Sequence, residues 1–166
     1  MNSKVKGVKP VPGDVFEIKM VSGRFAYGYY LLHGSTAFFD IFSNTKLPME
    51  EVVENRIRFT ISVRDYIIKK GIWKKIGHVP HYEKRFPTPR YFIQDALHKE
   101  RFEIYFAGKI TPARMRDCIG LERMASWDLE HVLERLEAES EGRRSKWITP
   151  IEEDKVGWFQ KALNWF

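Results

Sequence analysis

The sequence contains a single cysteine, Cys118, among its 166 residues. One cysteine excludes a disulfide within the chain and a metal cluster built on several thiolates, and it is typical of proteins in a reducing compartment. The residues around Cys118 do not give it the context of a catalytic nucleophile. We therefore expect a small, buried, unreactive side chain at this position.

Long apolar runs are also missing. No stretch approaches the roughly 18 consecutive apolar residues of a membrane span. The first 14 residues contain lysines but lack the apolar core and the small-residue cleavage site of a signal peptide. The sequence therefore predicts a soluble, cytoplasmic protein without a membrane partner. Residues 1–12, with two prolines and no hydrophobic period, are predicted to be a flexible arm before a single α+β domain over 13–166.

Motifs for catalysis and metal binding are absent as well. His78 and His81 have a spacing that suits metal ligands, but no third His or Cys follows at a recognisable distance. Only their residue types suggest Asp95 and His98 as an acid and base pair, and Asp95 is expected to cap the next turn instead. Neither common glycine-rich phosphate loop is present. We therefore predict no enzyme activity and no cofactor.

What the sequence does contain is a strong alternation of apolar and polar residues over 13–42. The alternation covers residues 16–20 and 25–31, and a third apolar run covers 36–42. Gly23 and Gly34 lie between these runs, where tight turns need a residue with a positive φ. The pattern predicts an antiparallel meander of three strands.

Further strands are predicted at 56–63, 72–77, 90–95 and 102–106, the last two forming a hairpin. A short helix is predicted at 49–54, and another is predicted to have Asp65 as its N-cap and to end at Gly71. Residues 113–126 show weak helical character. The predicted fold class is α+β, with an antiparallel twisted sheet or partly open barrel of about six to seven strands and C-terminal helices packed on it.

The hydrophobic period changes to 3.6 after Asp128, which is predicted to be the N-cap of a helix. Its apolar stripe consists of Leu129, Val132, Leu133 and Leu136. We expect this helix to pack on one sheet face lined by Phe16, Ile18, Tyr27 and Tyr29. A last helix is predicted at 149–166, where a broad apolar arc with Trp158 and Trp165 either closes the core or covers a partner surface.

The net charge of +6 is unevenly distributed. Residues 64–90 contain eight basic and two acidic residues, whereas 121–154 contain ten acidic and five basic residues. A tryptophan among lysines is a combination found in proteins that bind single-stranded nucleic acid. The basic segment 64–90 therefore supports an alternative function as a nucleic-acid-binding module, with contacts from Lys69, Lys70, Trp73, Lys74 and Lys75. In the competing interpretation Trp73 belongs to the core and the lysines are solvated around it.

Three stretches resemble a known family when they are taken in order. The first is GDVFEI at 13–18 with GRFAYG at 23–28, and the second is WKKIGH at 73–78 with FIQD at 92–95. The third is GLERMASWD at 120–128, followed by Glu130 and His131. This order resembles the immunity protein 26 family of bacterial polymorphic toxin systems, over residues 13 to about 136. The predicted helix at 149–166 lies beyond the resemblance.

The resemblance implies a non-catalytic α+β protein that neutralises a toxin, often a nuclease, encoded by a neighbouring gene and bound directly. It assigns no functional residue by itself, although Trp127 and Asp128 are closest to the family's Trp motif. Candidate toxin contacts come from this motif and the acidic end: Glu122, Trp127, Asp128, Glu130, Glu134 and Glu137. Either this acidic end binds a basic toxin, or the basic segment binds an acidic one.

Overall fold

The predicted meander forms the centre of the larger of two sheets in a computed structural model of the chain, which describes residues 9–80, 84 and 86–152. The described strands, in chain order, are β1 (Asp14–Lys19), β2 (Phe25–Tyr30), β3 (Ser35–Phe39), β4 (Ile57–Val63), β5 (Lys74–His78), β6 (Arg90–Gln94), β7 (Phe102–Phe106), β8 (Lys109–Ala113), β9 (Glu122–Arg123) and β10 (Ser126–Trp127). The described helices are α1 (Met49–Val53), α2 (Asp65–Lys69), α3 (Met115–Cys118) and α4 (Leu129–Ser140).

The described chain divides into two compact units. The first unit contains the residues up to Thr88 together with Ala125–Ile148, and the second contains Pro89–Met124 with residues 149–152. The strand order is β10-β4-β3-β2-β1-β5 in the first unit and β8-β7-β6-β9 in the second. Both sheets are open, which confirms the α+β class and the open-sheet version of the expectation. The prediction of one domain over 13–166 stays a prediction.

The sheet of the first unit has a separate hydrophobic cluster on each face. Phe16 and Ile18 of β1 share one cluster with Val132 and Leu136 of α4, so this helix packs on the sheet as predicted. Tyr27 and Tyr29 belong to the other cluster, and their placement beneath α4 is wrong. The reason is the register of β1 and β2, which pairs Phe16 with Gly28 and Glu17 with Tyr27. Directly paired residues share a face, so β2 presents Ala26 and Gly28 to the helix.

A bulge between β3 and β4 changes which face the β4 side chains occupy. Phe38 pairs with Phe59, but the next residue, Phe39, pairs with Ile57, so Arg58 has no partner across the ladder. An extra residue in one strand reverses the alternation beyond it. Phe59 therefore packs in the cluster beneath α4, whereas Ile57 packs in the opposite cluster.

Helix α4 begins where the sequence predicts, with Asp128 at the N-cap and its carboxylate accepting a hydrogen bond from Leu129 N at 2.8 Å. The predicted N-cap of α2 is wrong. Arg64 occupies that position in extended conformation, and Asp65 lies in the first turn, where it pairs with Lys69 at 2.7 Å. The predicted end of this helix at Gly71 is confirmed by its φ of +69°.

The hairpin predicted in the second unit is present as β6 and β7, and β8 extends it. The turn between β7 and β8 consists of Ala107 and Gly108, both with positive φ, as a type I′ hairpin turn requires. The weak helix predicted at 113–126 is wrong, apart from the four residues of α3. This segment instead adds β9 to the second sheet and β10 to the first, each by a two-residue parallel pairing.

Two expectations in this part of the chain are confirmed. Cys118 is fully buried, and burial raises the pKa of its thiol. Asp95 caps the turn that follows it, because its Oδ1 accepts hydrogen bonds from the backbone N–H groups of Leu97 and His98 at 2.8 Å each.

Residues 149–152, the beginning of the predicted last helix, are irregular. The rest of the predicted last helix, including Trp158 and Trp165, lies outside the described residues, as do residues 1–8 of the predicted arm.

Candidate partner-binding surfaces

Asp128, a candidate contact, has several partners inside the first unit. Besides capping α4, its carboxylate accepts a short hydrogen bond from the Tyr66 hydroxyl and lies 3.7 Å from Arg64 Nε. The hydrogen bond from Tyr66 lowers the pKa of Asp128, and the Leu129 N–H and Arg64 act in the same direction. Asp128 therefore joins the beginning of α4 to α2, and this role already accounts for its carboxylate.

Trp127, the second member of the same motif, is 7% exposed and belongs to the cluster beneath α4. The guanidinium of Arg135 lies 5.3 Å from the centre of its ring and 3.9 Å from that of Phe59. Arg135 is itself 3% exposed, although its helical position predicts the polar face. Trp127 and Arg135 are thus core residues, and neither offers a surface to a partner.

Two of the predicted glutamates tie loops to α4. Glu137 accepts a hydrogen bond from the backbone N–H of Ser22 at 2.6 Å, which fixes the β1–β2 turn against the helix. Glu134 accepts hydrogen bonds from the Ser145 hydroxyl and from Arg143 Nη1, the latter at 2.7 Å. Burial raises the pKa of Glu134, but the bonds from Ser145 and Arg143 together bring it below its usual value.

Glu130 differs from these residues because its side chain is 80% exposed, and its contact is His131 at 3.3 Å. Beside it, the rings of His131 and Trp147 stack with their centres 3.9 Å apart, and Trp147 is 40% exposed. The sequence did not single out Trp147, because it follows the helix and belongs to no period. Glu130 is therefore the member of the acidic set with the most accessible carboxylate.

Glu122 lies in the second unit, in β9, where it pairs with Tyr91 of β6. Its side chain is half-buried. The remaining five candidates lie in the first unit, so the sequence segment 122–137 does not correspond to one element. The predicted acidic surface is thus divided between two sheets, and most of its charge is used in local pairs.

Most of the candidate nucleic-acid contacts in the basic segment 64–90 also have partners within the fold. Trp73 is 3% exposed and packs edge-to-face on Phe38 at 5.9 Å, so its ring is not accessible for stacking on a base. Lys69 pairs with Asp65, and Lys75 pairs with the buried carboxylate of Asp14 at 2.6 Å. Lys70 lies 5.5 Å from the centre of the Tyr66 ring, and Lys74 is exposed. The interpretation with Trp73 in the core therefore fits the geometry.

The first two stretches that suggested the resemblance meet in space. Strands β1 and β5 are antiparallel neighbours, with Asp14 opposite His78. The Asp14 carboxylate is fully buried and accepts hydrogen bonds from Lys75, from the Val11 N–H at 3.0 Å and from His78 Nδ1 at 3.0 Å. Gly13 has a φ of +106°, and a Cβ there would lie 2.6 Å from the Val79 carbonyl oxygen. These motif residues join two strands of the sheet.

Neither a metal centre nor a membrane-spanning helix is found in the described part of the chain. No group of three or more His, Cys, Asp or Glu residues within it is arranged to hold a metal ion. His81 lies outside the described residues, so the predicted spacing with His78 is not tested. No described helix is long and apolar enough to cross a membrane.

The family model described as Immunity protein 26 matches residues 11–103, more than half of the chain. The chain belongs to this family, which confirms the resemblance seen in the sequence. The third stretch of that resemblance, at 120–131, lies beyond the matched residues. No curated protein and no solved structure gives a significant match.

Proposed function

We propose that this protein neutralises a cognate bacterial toxin by binding it directly and occluding its active site or an essential partner surface. The family match over residues 11–103 carries this proposal, because an immunity protein implies a toxin as its partner. The toxin is the product of a neighbouring gene, in the manner of polymorphic toxin and contact-dependent inhibition systems, and the complex forms in the cytoplasm. Such toxins are often nucleases.

Neutralisation by occlusion rather than by catalysis is supported by how the ionisable side chains are used. The carboxylates with lowered pKa values, such as Asp14 and Asp128, have structural hydrogen-bond partners that account for the shift. Perturbed pKa values are typical of enzyme sites, but structural hydrogen bonds and ion pairs produce them as well. Asp14 and Asp128 join strands and helices.

The experiment is co-expression with the toxin encoded next to this gene. Cells should survive toxin expression when this protein is present, and the two proteins should co-purify as a complex. Lack of protection together with lack of co-purification would reject the proposal.

A titration of purified toxin distinguishes occlusion from catalysis. If the protein acts by occlusion, residual toxin activity should fall linearly to zero at a fixed molar ratio, and longer incubation should not change that ratio. An enzyme that modified the toxin would protect at ratios far below one, and protection would increase with time. The second pattern would replace the binding mechanism by a catalytic one.

If the acidic end of the chain binds a basic toxin, the residue best suited to test this is Glu130. Because Glu134 and Glu137 have partners within the first unit, reversing their charge would disturb the fold as well as a contact. Glu130→Lys removes one exposed carboxylate and leaves those pairs intact. Slower association with a basic toxin at low salt would support this version, and unchanged association would reject it.

A further inference from the structure

A groove on the second sheet combines an exposed aromatic ring with two cations. We call it the Phe106 groove; it is lined by Arg90, Ile104, Phe106, Lys109 and Thr111 and has a volume of about 430 Å³. The strand register places Arg90 opposite Phe106, and Phe106 opposite Lys109. Residues directly opposite each other share a face and lie about 5 Å apart. The three side chains therefore form one row across the sheet.

The burial of β7 changes sharply along this face. Phe102 and Ile104 are each 5% exposed, because they pack with Cys118 and its neighbours in the core of the second unit. Phe106, the next residue on the same face, is 46% exposed. The core of the second unit thus covers Phe102 and Ile104 on this face and leaves Phe106 exposed. An exposed large aromatic side chain that continues a core face is suited to become the buried centre of an interface.

The electrostatics of the groove favour an acidic occupant. Arg90 and Lys109 are both exposed, and neither has an ion-pair partner in the described part of the chain. Glu103 of β7 pairs with Ile93 and so points to the opposite face of the sheet. Two unneutralised cations on either side of an apolar ring match a carboxylate next to an aliphatic or aromatic side chain, and the Arg90 fork can bind that carboxylate through two hydrogen bonds.

The edge of β8 is less suited to binding than this face. In a two-residue hairpin the residues flanking the turn are hydrogen-bonded to each other, so Ile110 and Pro112 direct their backbone groups outward. Pro112 has no N–H to donate to an added strand. A partner is therefore expected to engage side chains in the groove and not to extend the sheet.

We propose that the Phe106 groove binds an acidic segment of the cognate toxin, with a toxin carboxylate between Arg90 and Lys109 and an apolar toxin side chain on Phe106. This inference rests on the proposed function and selects the acidic-toxin version of it. Nucleic acid fits the groove less well, because two phosphate contacts give only a weak and sequence-independent association.

The test measures binding of the purified toxin domain, in a catalytically inactive form, to the full-length protein by surface plasmon resonance. Phe106→Ala should weaken the affinity by at least about thirtyfold, as expected for the centre of an interface. The double variant Arg90→Glu/Lys109→Glu should slow association, and the effect should shrink at high salt. The residues changed in these variants are all exposed. Circular dichroism and thermal unfolding verify that the variants remain folded.

The matched controls lie in the same unit outside the groove. Ile110→Ala removes an exposed apolar side chain, and Arg101→Glu/Arg116→Glu makes the same change in net charge. Both should bind the toxin like the wild type. If the groove variants also bind like the wild type, the inference is wrong while the proposed function stands. If the wild type does not bind the toxin, both fail. Binding of a single-stranded oligonucleotide that the groove variants abolish would overturn the inference in favour of nucleic acid.

Discussion

At the scale of single residues, Asp14 has the most demanding environment among the motif side chains. Its carboxylate is fully buried, yet it carries a charge, which Lys75, His78 and the Val11 N–H offset. Burial alone would raise the pKa of Asp14, but the hydrogen bonds from Lys75, Val11 and His78 outweigh it and lower the pKa below its usual value of 3.8. The charged form is therefore the one that the fold stabilises.

Asp14→Asn should lower the free energy of unfolding by about 2 kcal/mol, the size of a hydrogen bond to a charged group. The measurement is urea unfolding followed by tryptophan fluorescence, with Trp73 and Trp127 as probes in the first unit. Asp65→Asn is the matched control, because Asp65 is 60% exposed and its pair with Lys69 lies at the surface. Equal stability of the two variants would contradict the structural role of Asp14.

The stabilisation from Asp14 should depend on pH in a defined direction. A carboxylate whose pKa is lowered on folding stabilises the folded state above its unfolded pKa and loses this effect as the pH falls through the folded pKa. The difference in stability between the wild type and Asp14→Asn should therefore be constant above about pH 5 and shrink as the pH falls below 3.8. A difference that grew in acid would show that the folded pKa is raised.

The role of Asp14 was beyond reach from the sequence alone. GDVFEI at 13–18 was recognised as a motif, but Lys75 and His78 follow it by more than 60 residues, and no local pattern shows that they meet its carboxylate. The same limit applies to Arg135, which occupies a polar position in the helical period. Its burial depends on Phe59 and Trp127, which come from two different strands.

At the scale of elements, the periods of the sequence predict the long elements well. Alternation identified β1 to β4, and the 3.6-residue period identified α4 with its N-cap. The errors fall where an element is short or where two elements must be aligned. β9 and β10 have two residues each, too few for any period. The faces of Tyr27 and Tyr29 depend on the β1–β2 register, which the alternation within one strand does not fix.

The N-cap of α4 gives a prediction at this scale. Asp128→Ala removes the cap, the hydrogen bond from Tyr66 and the contact with Arg64, and should lower the midpoint of thermal unfolding by about 2–4 °C. Asp128→Asn retains a capping side chain and should have a smaller effect. Glu130→Gln is the comparison: it removes a charge from the first turn of α4 but keeps the cap, and should lower the midpoint less than Asp128→Ala does. A larger loss in Asp128→Asn than in Asp128→Ala would contradict the capping role.

At the scale of the whole molecule, the uneven charge of the sequence is partly neutralised by the fold. Acidic residues of α4 pair with Arg58 and Arg143, and Asp14 pairs with Lys75 of the basic segment. The count of charges by segment therefore overestimated both the acidic and the basic surface. Among the described charged residues without an ion-pair partner, Arg90 and Lys109 share one groove.

Stability and toxin binding should be separable in the whole protein. Asp14 is buried and is not a residue of the Phe106 groove. The folded fraction of Asp14→Asn should therefore bind the toxin with the affinity of the wild type. Its protection of cells should then fail only at raised growth temperature, because the unfolded fraction increases. Phe106→Ala should instead protect poorly at every temperature, since its defect is in binding and its stability is retained.

Added toxin should raise the thermal midpoint of Asp14→Asn, and it should raise that of Phe106→Ala much less. A ligand at a hundredfold excess over its dissociation constant stabilises the folded state by about 2.7 kcal/mol, which exceeds the loss of about 2 kcal/mol expected for Asp14→Asn. Adding inactive toxin should thus restore the thermal midpoint of Asp14→Asn to at least that of the free wild type. The same toxin concentration should shift Phe106→Ala much less. Equal shifts in the two variants would show that the Phe106 groove takes no part in binding.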